Sequence, residues 1–168
     1  MSRVRHCDAI QNILSKQSEI YAFLNGSEYY PTISGCAEFY PLWGGTLMAV
    51  TVTGLPAPKN GTCGSHFHGF HIHEGGSCEK GSSPEEPFPL ARSHFNPANC
   101  PHPEHAGDLP PLLSNDGFAF QIFYTNQFVP EEVLGKTVII HLSADDFTTQ
   151  PSGNSGAMIA CGEIKSVW

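Results

Sequence analysis

Positive charge is scarce in this chain. Eight lysines and arginines face 16 aspartates and glutamates, for a net charge of -8 over 168 residues. That balance argues against nucleic acid and against anionic membrane surfaces as partners. It also repels anions at long range, so an anionic substrate needs a local cation to guide it. No apolar run is long enough to span a bilayer, and there is no internal repeat. The charged start, Met1 to Asp8, is not followed by an apolar stretch, because Gln11, Asn12, Ser15 and Lys16 break up Ile10, Ile13 and Leu14. No signal peptide is read there. The expected compartment is the cytoplasm, or the extracellular space if a leader has already been removed.

What the chain does have is 17 glycines and 14 prolines among many short apolar runs, the composition of strands joined by turns. Residues 1–18 read as an appendage. Ile10, Ile13, Leu14 and Gln17 have helical spacing, so this is either a short amphipathic helix or a flexible tail. Residues 19–168 read as one domain. Strands are expected at Glu19 to Leu24, at Thr32 to Phe39 (Ile33, Gly35, Ala37 and Phe39 on one face) and at Thr46 to Thr53 (Met48, Val50 and Val52 on one face). Further strands are expected at His66 to His73, at Phe118 to Tyr124 (Phe118, Phe120, Ile122 and Tyr124 on one face), at Thr137 to Leu142 and at Met158 to Ile164. Between them, Glu74 to Pro111 is rich in Gly, Pro, Ser, Cys and His and is too long for an ordinary connection, and Ser143 to Ser155 is rich in Thr, Asp, Ser and Gly. The expected fold class is all-β: an eight-stranded Greek-key β-sandwich or flattened barrel with two long functional loops.

Histidine carries the chemistry. His71 and His73 sit two apart on an expected strand, so both rings leave the same face. His94, His102, His105, Asp108 and His141 follow. Imidazole suits copper and zinc, and an aspartate among histidines suits zinc. Six imidazoles and one carboxylate suffice for two adjacent metal sites that share a ligand.

The motifs His68-Gly69-Phe70-His71-Ile72-His73-Glu74, His94-Phe95-Asn96-Pro97, His105-Ala106-Gly107-Asp108-Leu109, His141 followed by Ala144-Asp145-Asp146, and Gly153-Asn154-Ser155-Gly156 running into Ala160-Cys161-Gly162 together resemble the copper-zinc superoxide dismutase family. The resemblance covers about residues 19 to 165, with the motifs in the family's order. It implies copper held by His71, His73, His94 and His141, and zinc held by His94, His102, His105 and Asp108. His94 would bridge the two ions and relay a proton, so His94 and His141 are the expected catalytic side chains. It implies that Asp145 ties His71 to His102 from outside the ligand shell. His68 and Glu74 are expected to be structural, and His66 and His6 to be solvated. Only two residues separate His102 from His105, which constrains the reach of His105.

The same resemblance implies a disulfide between Cys78 and Cys161. Cys63 and Cys100 flank metal-bearing segments and form a possible second pair. Cys36 is expected to be a small buried hydrophobe, and Cys7 a free thiol.

Missing is the family's guiding cation. Its arginine position, three residues before Cys161, holds Met158, and its lysine position holds Ser143; the loop Ser143 to Ser155 contains no Lys or Arg. Losing one charge about 6 Å from an anion costs roughly 0.7 to 3 kcal/mol, or about a 3- to 100-fold rate loss. Arg92, two residues before His94, either compensates in part or is an ordinary surface residue. Met158 would cover the copper pocket with apolar surface or offer its thioether to Cu(I).

Two readings follow. The first is an enzyme that converts superoxide to dioxygen and hydrogen peroxide with reduced electrostatic guidance. The second is a superoxide dismutase-like copper- and zinc-binding protein with little or no catalysis, used for storage or structure. Polar Glu163 and Ser166 stand where family dimers place apolar contacts, so the expected state is a monomer or a non-standard homodimer using Trp168 or the N-terminal appendage.

Overall fold

Alternating side chains build most of this molecule. The computed structural model describes residues 4–57 and 65–167. Its strands are β1 (Ile20–Gly26), β2 (Ser34–Leu42), β3 (Gly45–Thr53), β4 (Ser65–His68), β5 (Phe70–His73), β6 (Leu112–Asn115), β7 (Ala119–Thr125), β8 (Thr137–His141), β9 (Met158–Glu163) and β10 (Lys165–Ser166), and the helix α1 is Val4–Leu14. The main sheet is antiparallel and curled, in the order β5-β8-β9-β1-β2-β3-β7, with β10 also on β1. β1, β2 and β3 form a meander. The chain then crosses to the opposite edge for β5 and returns to set β7 beside β3, the non-sequential course of a Greek key. β4 and β6 form a separate two-stranded sheet.

One face of most strands feeds the core. Leu24, Ala37, Phe39, Met48, Val50, Val52, Ile72, Val138, Ile140 and Ile159 belong to one buried cluster. Each large apolar side chain there contributes about 1.5–3 kcal/mol. The outer face of β2 and β3 is covered by α1, whose Ile10, Ile13 and Leu14 pack on Tyr40, Leu42, Leu47 and Ala49.

Three features depart from the sequence expectation. First, His66 to His73 is not one strand. The chain changes sheets at Gly69, whose N–H donates to the Ser143 carbonyl (2.7 Å) and whose carbonyl accepts from the His141 N–H (2.8 Å). A Cβ at Gly69 would lie 2.7 Å from Ser155 Oγ, so the crossing needs a residue without a side chain. Second, Phe118, Phe120, Ile122 and Tyr124 do share a face, but it is the outer one and all four are exposed; Ala119 faces the core. Third, β6 and β10 were not expected. Each is short and takes its order from a neighbour, β4 and β1 respectively.

Cys78 and Cys161 form a disulfide across a sequence separation of 83. It joins the first long loop to β9 beside buried Phe88, Ala91 and Ile139. Cys100 is a free thiol, which counts against the suggested second disulfide, and Cys63 lies outside the described residues. Cys7 is free and exposed. Cys36 is free and only half-buried, with its thiol pushed up to about 11 by burial and then by Glu38. Among the described residues no helix is long and apolar enough to cross a membrane.

Candidate metal centre

β5 has core residues on one face, Phe70 and Ile72, and imidazoles on the other, His71 and His73. Its partner β8 ends at His141. The free edge of β5 is completed by the first long loop. Glu74 N–H donates to the Ser93 carbonyl (2.8 Å), Gly75 N–H to Ala91 (2.8 Å), Phe95 N–H to Ile72 (2.8 Å) and Ile72 N–H to Gly107 (2.9 Å). These bonds satisfy an otherwise open edge and set His94 beside His73 and Asp108 beside His71. Gly75 and Gly107 permit the close approach. A Cβ on Gly75 would lie 1.9 Å from the Leu90 carbonyl oxygen, and one on Gly107 would lie 2.3 Å from that of Ile72.

The short stretch between His102 and Asp108 folds back through two turns, Glu104 N–H to the Pro101 carbonyl (2.8 Å) and Asp108 N–H to the His105 carbonyl (3.1 Å). Those turns answer the concern about reach: His105 Nδ1 lies 3.2 Å from Asp108 Oδ2 and 3.4 Å from His94 Nδ1. From the second loop, Gln150 clamps the backbone of His102, accepting its N–H (3.0 Å) and donating to its carbonyl (2.6 Å).

Two groups result: His71, His73, His94 and His141, and His94, His102, His105 and Asp108, each with ligand atoms within 4.8 Å of one another. His94 belongs to both. In the first group the outer nitrogen of three rings is engaged. His71 Nε2 donates to Asp145 Oδ2 (2.7 Å), His73 Nδ1 to the Arg92 carbonyl (2.7 Å) and His141 Nδ1 to the Gly156 carbonyl (3.1 Å). The inner atoms, His71 Nδ1, His73 Nε2, His94 Nε2 and His141 Nε2, are buried with no hydrogen-bond partner among the described residues. Four buried lone pairs aimed at one point are costly unless a cation takes them, and neutral imidazoles oriented from behind are what copper needs. In the second group, His94 Nδ1 (2.7 Å), His102 Nδ1 (3.0 Å) and His105 Nδ1 (3.2 Å) surround the Asp108 carboxylate. Three nitrogens and one carboxylate oxygen form a set that zinc accepts.

Asp145 joins the two groups. Besides His71 it accepts from His102 Nε2 (2.9 Å) and from the Phe147 N–H (2.7 Å). Burial would raise its carboxyl, but the hydrogen bonds from His71, the Phe147 N–H and His102 outweigh this and hold it well below the usual range. The same contest, with His94 as the leading donor, lowers Asp108. Burial, together with the neighbouring imidazoles, pushes His71 and His73 down and His141 down to about 3. These rings are therefore neutral at pH 7, the state a metal ligand requires.

An open cleft of about 510 Å³ leads to this centre, lined by His73, His94 and His141 together with Glu85, Arg92 and Met158. Met158 stands opposite His141 in the β8–β9 register and packs beside Phe88 and Ile139, so it contributes apolar wall. His68 stays outside both groups, fully buried, with Nδ1 donating to the His141 carbonyl (2.9 Å). His66 is not simply solvated: it is half-buried, with Nε2 3.3 Å from the Leu142 carbonyl. Glu74 accepts from Lys136 (3.0 Å). Sequence reasoning missed Gln150 and the carbonyls of Arg92 and Gly156, because no residue-type pattern marks a backbone acceptor.

A family model described as copper/zinc superoxide dismutase matches residues 33–164. The chain belongs to the copper/zinc superoxide dismutase family. It is 35% identical over 151 residues to a superoxide dismutase [Cu-Zn] of Deinococcus radiodurans, covering 80% of this chain and 79% of that one. Among solved structures it resembles a Cu/Zn superoxide dismutase from Brucella abortus, with a TM-score of 0.70 and 26% identity, covering 86% of this chain and 98% of that one. It equally resembles a double mutant of a SOD-like protein from Bacillus subtilis, with a TM-score of 0.70 and 32% identity, covering 89% of this chain and 100% of that one. Copper and zinc are thus the family's ions, and the two groups fit them.

Proposed function

We propose that this protein is a superoxide dismutase, taking two superoxide ions and two protons to dioxygen and hydrogen peroxide. His71, His73, His94 and His141 hold copper; His94, His102, His105 and Asp108 hold zinc; His94 is shared. Copper, when bound, supplies one-electron redox chemistry, and zinc supplies a fixed charge without redox. The protein's own part is positional. Asp145, the Arg92 carbonyl and the Gly156 carbonyl fix three tautomers so that each ring offers its inner nitrogen. His94, with one nitrogen toward each group, is the side chain placed to hold or release a proton between them.

The observation that carries this reading is the convergence of four unpartnered, buried imidazole nitrogens beside a carboxylate-centred second set. On this reading residues 19–168 are the catalytic domain and 1–18 an appendage, of which Ile10, Ile13 and Leu14 pack on Tyr40, Leu42, Leu47 and Ala49. Glu163 accepts the Cys78 N–H (3.1 Å) and pairs with Lys165 (2.8 Å). That commitment favours a monomer or a non-standard homodimer. The test is superoxide decay by pulse radiolysis on protein loaded with both metals. Decay well above that given by the same copper free in buffer is expected; no excess would overturn the reading.

Met158 at the guiding position favours a second reading, a superoxide dismutase-like metal-binding protein with little catalysis. Stoichiometric copper and zinc by elemental analysis without that excess decay would select it.

A further inference from the structure

Resting on the copper-zinc reading above, we propose that Arg92 is the residue that draws an anion into the metal cleft, from a loop far in sequence from the position that Met158 occupies. Among the described residues Arg92 is the one lysine or arginine that lines this cleft, and it shares the lining with His73, His94 and His141. The other basic side chains with described surroundings are engaged or lie elsewhere. Lys136 pairs with Glu74, Lys165 pairs with Glu163, Lys80 lines a separate hollow beside the disulfide and Lys16 lines one beside α1. Among the described residues Arg92 makes no ion pair, and it is exposed.

Its backbone is anchored to the copper-side strand. The Arg92 carbonyl accepts from His73 Nδ1 (2.7 Å), and the carbonyls on either side accept from Gly75 and Glu74 (2.8 Å each). The residue has φ 63° and ψ -148°, a region that is essentially glycine's. A carbonyl turned toward His73 explains that conformation, and glycine would supply it with less strain. The arginine side chain is therefore not needed for the backbone role. What it adds is a cation at the mouth of a cleft on a chain of net charge -8. Glu85 lines the same cleft with the opposite sign, its carboxylate accepting the Ser83 hydroxyl. The two side chains set the local field that an incoming anion meets.

Charge and backbone roles separate in three substitutions: Arg92→Gly, which keeps the carbonyl and removes the charge; Arg92→Lys, which keeps the charge; and Glu85→Gln, which removes the opposing charge. The probe is azide, titrated into the copper- and zinc-loaded protein and followed by visible absorption. At low ionic strength the azide Kd is expected to rise about 3- to 10-fold in Arg92→Gly, to stay near the starting value in Arg92→Lys, and to fall about 2- to 3-fold in Glu85→Gln. All differences should collapse near 1 M salt, where the Debye length is about 3 Å. Unchanged azide affinity and salt slope in Arg92→Gly and Glu85→Gln would overturn the proposal, even if superoxide turnover is high. Azide binding that depends on Arg92 in a protein without turnover would sustain it while removing the dismutase reading.

Discussion

Gly153 faces the Asp145 carboxylate so closely that a Cβ on it would lie 1.9 Å from Oδ1, and 2.7 Å from the His102 ring nitrogen that Asp145 holds. Its φ of 67° adds a second reason for glycine. Gly153→Ala is expected to push Asp145 away from both histidines. The cost should be about 10- to 100-fold in metal affinity, the range seen when outer partners of metal ligands are lost. Competition with a chromophoric chelator measures it; affinity within about twofold of the parent would show that the carboxylate is not what orients these rings.

The disulfide closes a sequence separation of 83. Loop-closure entropy makes that bridge worth at most roughly 4–5 kcal/mol. Reduction, or Cys78→Ser, is expected to lower the urea midpoint accordingly and to loosen the loop that carries Arg92 and His94. An unchanged midpoint after confirmed reduction would show that the native contacts of Phe88, Ala91 and Ile139 suffice without it.

The metal-free protein should lose stability as pH falls below about 6.5. His71 and His73 are depressed, and His141 is depressed from 6.5 to about 3, chiefly by burial. In that window the unfolded chain binds more protons than the native one, so unfolding free energy rises with pH. Asp145, depressed in the folded state, acts in the same direction at lower pH, since its contribution is lost as pH falls through and below its unfolded value of 3.8. Urea titrations of the metal-free protein at several pH values check this. A midpoint independent of pH between 7 and 4 would contradict it.

Met158→Arg sets a cation on the cleft wall opposite His141. If such a charge acts about 6 Å from the anion, it is worth roughly 0.7 to 3 kcal/mol, or about a 3- to 100-fold faster superoxide decay. The gain should shrink as salt is added. Equal rates in the two proteins at all salt concentrations would mean that charge at this position adds nothing.

Much of the centre is legible in the chain because its chemistry is local in kind. His71-x-His73 on a strand, His94 and the His102-to-Asp108 run announce imidazole and carboxylate donors, and their order matches one family. The core faces of β2 and β3 follow from period-two alternation at Ala37, Phe39, Met48, Val50 and Val52. The same alternation at Phe118, Phe120, Ile122 and Tyr124 gives the face but not its direction. An apolar face can point inward or outward, and only the neighbouring strands decide which. The break at Gly69 is equally hidden, since the side chain that a Cβ there would meet, Ser155, lies far along the chain.

The amino-acid order by itself determined which side chains can bind metal and which cysteines match the family's bridge, and it puts Met158 where the resemblance leads one to expect an arginine. Only the tertiary structure decided which nitrogen of each ring is free, because that choice depends on acceptors distant in sequence. Asp145 lies 74 residues from His71, and the Arg92 carbonyl lies 19 from His73. It also placed Arg92 at the cleft, through a ladder of backbone bonds to β5 that no residue type encodes. Donor chemistry is a property of single residues, whereas orientation comes from contacts that exist only once the chain has closed.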